Sequence, residues 1–216
     1  MKTLIAAGAK VDARTDYGAT PLYYAARPKS FAEIPLREAT ILKAKDTVNA
    51  LITAGAKVDA RTGRTGNDGL TPLLRTVWVP YTGRAEELKA LGITAKALIA
   101  AGAKVDARDR EGLTPLHWAT LIGMMDAVNA LIAAGAKVDA RTRDGLTPLH
   151  YAAGYGRAEL IVALLDSGAS AAARTDSGDT AFDFARIYQA VQAKRLRADA
   201  LRGTDALRRL RDATPK

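Results

Sequence analysis

The chain has 216 residues, of which 48% are hydrophobic, and carries 32 Lys and Arg against 23 Asp and Glu. This length and composition suit one sizeable folded body. Because there is no cysteine, disulfides and thiolate metal sites are excluded. No apolar run approaches the roughly 20 residues that a membrane-spanning helix needs. We therefore predict a protein without a membrane span. A cytoplasmic location is expected, and a processed or truncated N-terminus would leave a periplasmic or secreted one open.

One eleven-residue segment recurs along the chain. The letters L-I-A-A-G-A-K-V-D-A-R stand at 98–108, with near-identical copies at 4–14, 51–61 and 131–141 and a diverged copy at 164–174. The copies start 47, 47, 33 and 33 residues apart, so the basic unit has 33 residues and two units carry 14 more. Self-similarity at a fixed period predicts a repeat architecture.

The regular unit at 109–141 shows what each repeat is built from. Gly112 suits a tight turn with positive φ, and Thr114 with Pro115 begins a short helix that Gly123 ends. Apolar residues at helical spacing predict a second helix over 125–133. Gly135 then supplies a left-handed stop, and the alternation over 136–141 predicts an extended arm.

Two short motifs indicate which kind of repeat this is. The segments T-P-L-H-W-A at 114–119 and T-P-L-H-Y-A-A at 147–153 resemble the T-P-L-H-x-A signature of ankyrin repeats, which also have a 33-residue period. The resemblance implies an all-α solenoid of stacked helix-turn-helix units, with β-hairpin-like fingers projecting from one edge. Nearly the whole chain is covered.

In chain order, the predicted repeats form a single domain over 1–216. They are a half unit at 1–14, repeats at 15–61, 62–108, 109–141 and 142–174, and a C-terminal cap with a basic helical tail at 175–216. The half unit suggests a truncated chain, a processed protein or an unusual N-terminal cap. The first repeat has its extra residues between its helices, and we expect its second helix to extend backwards towards Pro35. The second has four extra residues in the finger at 63–69 and ten near 80–83.

No catalytic, cofactor or metal site is predicted. His117 and His150 are the only histidines, and both occupy the histidine position of the repeat, where the resemblance implies hydrogen bonds within the capping region. They lie one repeat apart and lack closely spaced third and fourth metal ligands. The loop at 63–66 lacks the Lys-Ser/Thr ending of a phosphate loop. We therefore expect a protein that is not an enzyme.

The charges allow two interpretations. In the arms, Lys, Asp and Arg recur at 10/12/14, 57/59/61, 104/106/108 and 137/139/141, so each Asp is expected near Lys and Arg of its own or the next unit. Such a compensated ladder contributes little per pair. The alternative is a rail, together with the basic tail, that binds a polyanion such as nucleic acid or an anionic surface. Nucleic acid is disfavoured because the tail has no aromatic residue after Tyr188.

The function that the resemblance implies is protein–protein recognition by a monomeric, non-catalytic scaffold, an adaptor or an inhibitor. A bacterial immunity-type inhibitor is one form, suggested by the alanine- and arginine-rich composition. A designed scaffold would explain the near-identical arms, but the irregular insertions argue against it. The predicted contacts with an unidentified protein partner lie at finger tips and on the first helices. They are Asp16, Tyr17, Asn67, Asp68, Trp78, Arg110, Glu111, Leu121, Ile122, Arg143, Asp144 and Tyr155.

One feature departs from the repeat pattern. Where each first helix ends, the chain has Arg27-Pro28, Trp78-Val79, Leu121-Ile122, Gly154-Tyr155 and Ile187-Tyr188. Large apolar groups at a nominally wet surface mark a contact site when they are contiguous. We expect Leu121, Ile122 and Tyr155 to be exposed and to form the core of the partner site. Alternatively, the insertions of the first two repeats cover part of this stripe.

Overall fold

The computed structural model describes residues 2–26, 38–63, 69–78, 85–196, 209 and 211–213. Over these ranges the chain is helical and contains no strand, only one isolated antiparallel bridge between Arg174 and Thr180. The prediction of an all-α repeat fold is confirmed. The helices are α1 (Lys2–Ala6), α2 (Pro21–Ala26), α3 (Glu38–Thr53), α4 (Pro72–Val77), α5 (Ala85–Ala100), α6 (Pro115–Ile122), α7 (Met125–Ala133), α8 (Pro148–Gly154), α9 (Ala158–Asp166) and α10 (Ala181–Leu196).

The chain divides into two compact units, Met1–Arg110 and Glu111–Lys216. In the first, α2 packs with α3 and α4 packs with α5, while α2 contacts α4 and α3 contacts both α1 and α5. In the second, α6 packs with α7 and α8 with α9, while α8 contacts both α6 and α10. Within each unit, first helices therefore stack on first helices. The finer division into a half unit, four repeats and a cap stays a prediction.

The regular repeat folds as its proline and glycine positions predict. Helix α6 begins at Pro115 and ends at Ile122, and Gly123 follows with φ 92° in the left-handed region. Helix α7 has the predicted bounds. Leu116 and Leu131 are fully buried between the two helices, and the equivalent Leu149 and Leu164 are buried in the next repeat. Burying a leucine side chain contributes about 1.5–3 kcal/mol, so this leucine core stabilises each helix pair.

Both long repeats have a lengthened second helix. Helix α3 spans 16 residues, against nine for α7, and begins three residues after Pro35, which confirms the predicted backward extension. Helix α5 also spans 16 residues, so much of the second insertion is helical, which the sequence pattern did not indicate. The other insertion residues, at 27–37, 64–68 and 79–84, lie outside the described residues.

The predicted extended arm is wrong, because each arm contains a tight turn. The amide of Ala140 donates to the carbonyl of Lys137 at 3.1 Å, and the same bond recurs between Ala107 and Lys104 at 3.2 Å. Ala136 and Ala140 are both buried. The chain turns between them because both alanines pack into the core, and alternation of charged and small residues does not distinguish this turn from a strand.

At the C-terminal end, α10 takes the place of a first helix against α8. Residues 209 and 211–213 are also helical. The Arg209 guanidinium forms an ion pair with the Asp166 carboxylate at the end of α9, which places this part of the tail beside the fourth repeat. The side chains that we expected to dock there, at 196, 200, 201, 207 and 210, lie outside the described residues.

Candidate functional site

Neighbouring finger tips are joined by backbone hydrogen bonds. In the first unit the amide of Gly63 donates to the Tyr17 carbonyl at 3.0 Å. In the second, the amide of Arg143 donates to the Glu111 carbonyl at 3.2 Å, and that of Asp176 donates to the Asp144 carbonyl at 3.1 Å. Within each unit these bonds fix the position of one finger against the next.

The predicted finger residues that the structure describes are all exposed. They are Asp16, Tyr17, Arg110, Glu111, Arg143 and Asp144. Tyr17 is 59% exposed, a large fraction for an aromatic side chain. Asn67 and Asp68 lie outside the described residues. These side chains are accessible, and their use in binding a partner stays a prediction.

The arm arginines bind the fingers to the stack. Nη1 of Arg14 donates to the carbonyls of Gly18, at 3.1 Å, and Arg61, at 3.0 Å. Arg61 makes the equivalent bonds one repeat later. It donates to the carbonyl of Gly69 at 2.8 Å and to that of Arg108 at 2.9 Å. Because one guanidinium nitrogen of each binds two backbone carbonyls, Arg14 and Arg61 help to hold the fingers against the neighbouring repeat.

The arm aspartates bind the backbone of the next arm at its lysine position. Asp12 accepts a hydrogen bond from the amide of Lys57 at 2.8 Å, and Asp59 accepts one from the amide of Lys104 at 2.9 Å. A carboxylate reaches a fixed backbone donor at a lower entropic cost than a long, flexible lysine side chain. Asp12 and Asp59 therefore link neighbouring arms through carboxylate–amide bonds.

The two histidines are built into helix caps, as the resemblance implied. Nδ1 of His150 accepts from the Thr147 amide at 3.1 Å and lies 2.9 Å from the Thr147 hydroxyl, while Nε2 lies 3.2 Å from the Asp179 carbonyl. His117 makes the same contacts with Thr114 and with the Leu146 carbonyl. The pattern assigns the ring proton to Nε2. Burial lowers the pKa of His150, which keeps the ring neutral.

Other residues take the histidine's place where the signature has diverged. In α10, Asp183 accepts from both the amide of Thr180, at 3.0 Å, and its hydroxyl, at 2.7 Å. The hydroxyl bond is the main reason that the pKa of Asp183 is lowered. In α4 the position holds Leu74, and the Thr71 hydroxyl accepts from the Leu74 amide at 3.3 Å. The cap is thus preserved by different chemistry in different repeats.

The apolar stripe at the ends of the first helices is only partly exposed. Tyr155 is 38% exposed, as expected, whereas Leu121 and Ile122 are half-buried, which corrects the expectation for those two. Trp78 is also half-buried. Arg157, two residues after Tyr155, donates to the Leu121 carbonyl at 3.4 Å. The positions at 27, 28 and 79 lie outside the described residues.

Arg157 positions this surface, although the sequence analysis did not single it out. Its guanidinium lies over Gly123, where a Cβ atom would come within 3.0 Å of Cζ. A cation beside the last carbonyls of α6 is favourably placed in the helix dipole. The signal in the sequence was the glycine that ends the first helix, because a Cβ atom there would crowd the arginine.

Arg75 is a second residue that sequence reasoning missed. It lies in α4 between two aromatic rings, with Cζ 5.5 Å from the Tyr23 ring centroid and 5.7 Å from that of Trp78. The equivalent positions hold Tyr24, Trp118, Tyr151 and Phe184. An arginine in an otherwise aromatic column was the available signal.

Within the described ranges, no three His, Asp or Glu side chains are grouped closely enough to hold a metal ion. None of the helices there combines the length and apolar content needed to cross a bilayer.

The comparisons with known proteins agree with this architecture. A family model described as ankyrin repeats (three copies) matches residues 36–142 and 85–175. A search of the curated proteins found no match to the chain. The matched ranges cover more than half of the sequence and include the two histidine-capped helices α6 and α8. The chain belongs to the ankyrin repeat family.

Proposed function

We propose that this protein is a non-catalytic scaffold that binds a partner protein through its finger tips and the surface of its first helices. Ankyrin repeats are in general protein–protein interaction modules, and the family is typically non-catalytic. The observation that supports the proposal for this chain is the exposure of paired tip residues on hydrogen-bonded fingers, with Glu111, Arg143 and Asp144 adjacent in the second unit.

The contact surface of the second unit would have an apolar centre and a charged rim. Tyr155 is the most exposed of the stripe residues proposed as its centre, and Leu121 and Ile122 add half-buried apolar area. The exposed finger residues Arg143 and Asp144 supply charges for the rim. Interfaces depend on a few aromatic and apolar anchors, surrounded by polar groups that exclude water. In this proposal the protein acts as a monomer, as an adaptor or inhibitor located in the cytoplasm.

A pull-down with the intact chain at moderate salt tests the proposal. Tyr155→Ser removes the exposed aromatic anchor, and Ile132→Ser is the control, because Ile132 is half-buried but lies on the second helix α7. A partner retained by the wild type and by Ile132→Ser, and lost with Tyr155→Ser, supports this function. Retention of nucleic acid that falls steeply with salt would favour the polyanion alternative.

A further inference from the structure

The first unit contains a cationic cluster formed by Tyr23, Tyr24, Arg75 and Trp78. Arg75 lies within cation–π distance of Tyr23 and Trp78, at 5.5 and 5.7 Å. The Tyr24 ring meets that of Tyr23 edge-on, with centroids 5.7 Å apart. These contacts connect α2, α4 and the residue that ends α4, so the guanidinium is positioned by two neighbouring repeats.

No carboxylate neutralises this guanidinium in the described part of the chain. The Nε and Nη1 atoms of Arg75 are buried and have no acceptor among the described residues, although the side chain as a whole is only half-buried. Buried N–H groups that lack an acceptor are costly. Contact with the two rings offsets part of this cost but leaves the positive charge in place.

Such an arginine is prepared to bind an anion. It has already lost part of its hydration, so an approaching carboxylate displaces less water than it would at a fully exposed cation. Its attraction is also less screened by solvent. Contact with the two rings limits the motion of the guanidinium, which reduces the entropic cost of binding. Nε and Nη1 are buried, so a carboxylate that approaches from solvent would meet the exposed part of this half-buried residue.

The first unit also carries a larger excess of positive charge than the second. Residues 1–110 carry 18 Lys and Arg against 11 Asp and Glu, whereas residues 111–216 carry 14 against 12. Long-range attraction of an acidic segment would therefore favour the first unit. Nucleic acid fits the cluster less well, because stacked bases need open aromatic faces, and the Tyr23 and Trp78 rings already contact Arg75.

We propose that the Tyr23–Tyr24–Arg75–Trp78 cluster anchors a carboxylate side chain from an acidic segment of the partner protein. This inference rests on the proposed function, since it names the chemistry of the partner at the first-helix surface. Arg75 supplies the charge, and the exposed edge of Tyr24 supplies apolar contact beside it.

Fluorescence titration of Trp78 tests the anchor directly. The chain has two tryptophans, so Trp118→Phe leaves Trp78 as the sole reporter. The probes are octaglutamate and the single-stranded DNA octamer of thymidine, compared at the same ionic strength. We expect octaglutamate to change Trp78 emission and to bind at least ten-fold more weakly to Arg75→Met. Arg75→Lys, which keeps the charge but not the planar group, should give an intermediate affinity.

Lys104→Met is the matched control, because it removes one exposed positive charge from an arm of the same unit. We expect it to change the affinity less than two-fold. Equal losses in Arg75→Met and Lys104→Met, or no binding of octaglutamate by the wild type, would overturn the proposal. Tighter binding of the DNA octamer, lost in Arg75→Met, would also overturn it in favour of a nucleic-acid site.

The melting temperature separates loss of binding from loss of folding. Arg75→Met removes two buried N–H groups without acceptors, so we expect its melting temperature not to fall. The pull-down separates this inference from the function on which it rests. If the partner binds the wild type and Arg75→Met equally, the anchor proposal is wrong and the scaffold function still stands. If octaglutamate gives an Arg75-dependent response but the pull-down captures no partner, the anchor proposal is supported. The scaffold proposal then lacks support.

Discussion

The carboxylate of Asp139 accepts a hydrogen bond from the backbone amide of Ser170 at 2.9 Å, linking one arm to the next. Asp139 has the same role as Asp12 and Asp59 in the first unit. The diverged last arm has Ala172 at the aspartate position but keeps Arg174, which donates to the Gly178 carbonyl of its own finger at 2.7 Å. The bond to a following arm is therefore lost at this point, while the bond to the finger is retained.

Removing one of these carboxylates should weaken a junction between repeats. We expect Asp59→Ala to lower the free energy of unfolding by about 1 kcal/mol, because it leaves the Lys104 amide without its charged acceptor. Urea denaturation measures the change. Asp46→Ala is the control, since Asp46 is exposed on α3, and it should have a smaller effect. Equal effects of the two substitutions would show that the arm bond contributes no specific stability.

A prediction about pH follows from the buried imidazole. Burial lowers the pKa of His150 in the folded state below the ordinary value of 6.5. As the pH falls through 6.5, the unfolded chain binds a proton that the folded one resists, so stability should decrease between pH 7 and pH 5. His150→Gln should show a flatter dependence in urea denaturation over this window. Parallel curves for the two proteins would contradict the assignment of a neutral, buried ring.

The parts that could be predicted from the sequence depend on local sterics. Pro115 and Gly123 set the ends of α6 because one lacks an amide hydrogen and the other adopts a positive φ, whatever surrounds them. The surroundings of Arg75 could not be predicted in this way. Its contact with Tyr23 joins residues 52 positions apart, and only the packing of α2 on α4 brings them together.

The N-terminal helix should be the least protected element of the first unit. Helix α1 has no buried residue, and Leu4 is 61% exposed, whereas the equivalent Leu131 is fully buried. Repeat stability is roughly a sum of unit and neighbour terms, and a helix without a buried residue contributes little to either. We expect amide hydrogens of residues 4–7 to exchange faster than those of 131–134 in a hydrogen-exchange measurement. Similar protection at both sites would indicate that another chain covers α1.

The apolar surface of the second unit yields a prediction that separates binding from folding. Tyr155 is 38% exposed, so Tyr155→Ser should leave the melting temperature nearly unchanged, whereas Ile122 is half-buried and Ile122→Ser should lower it. If both residues anchor the partner, each substitution should cost on the order of 2 kcal/mol of binding free energy, as hot-spot residues do. Calorimetric titration with the captured partner measures this cost.

Ile132→Ser reproduces the stability loss of Ile122→Ser on a different helix and should leave the affinity unaltered. The two isoleucines are both half-buried. A loss of affinity confined to Ile122→Ser would therefore reflect its position on the first helix and not a general loss of stability of the repeat. A large drop in melting temperature for Tyr155→Ser with unchanged affinity would assign the stripe to the core.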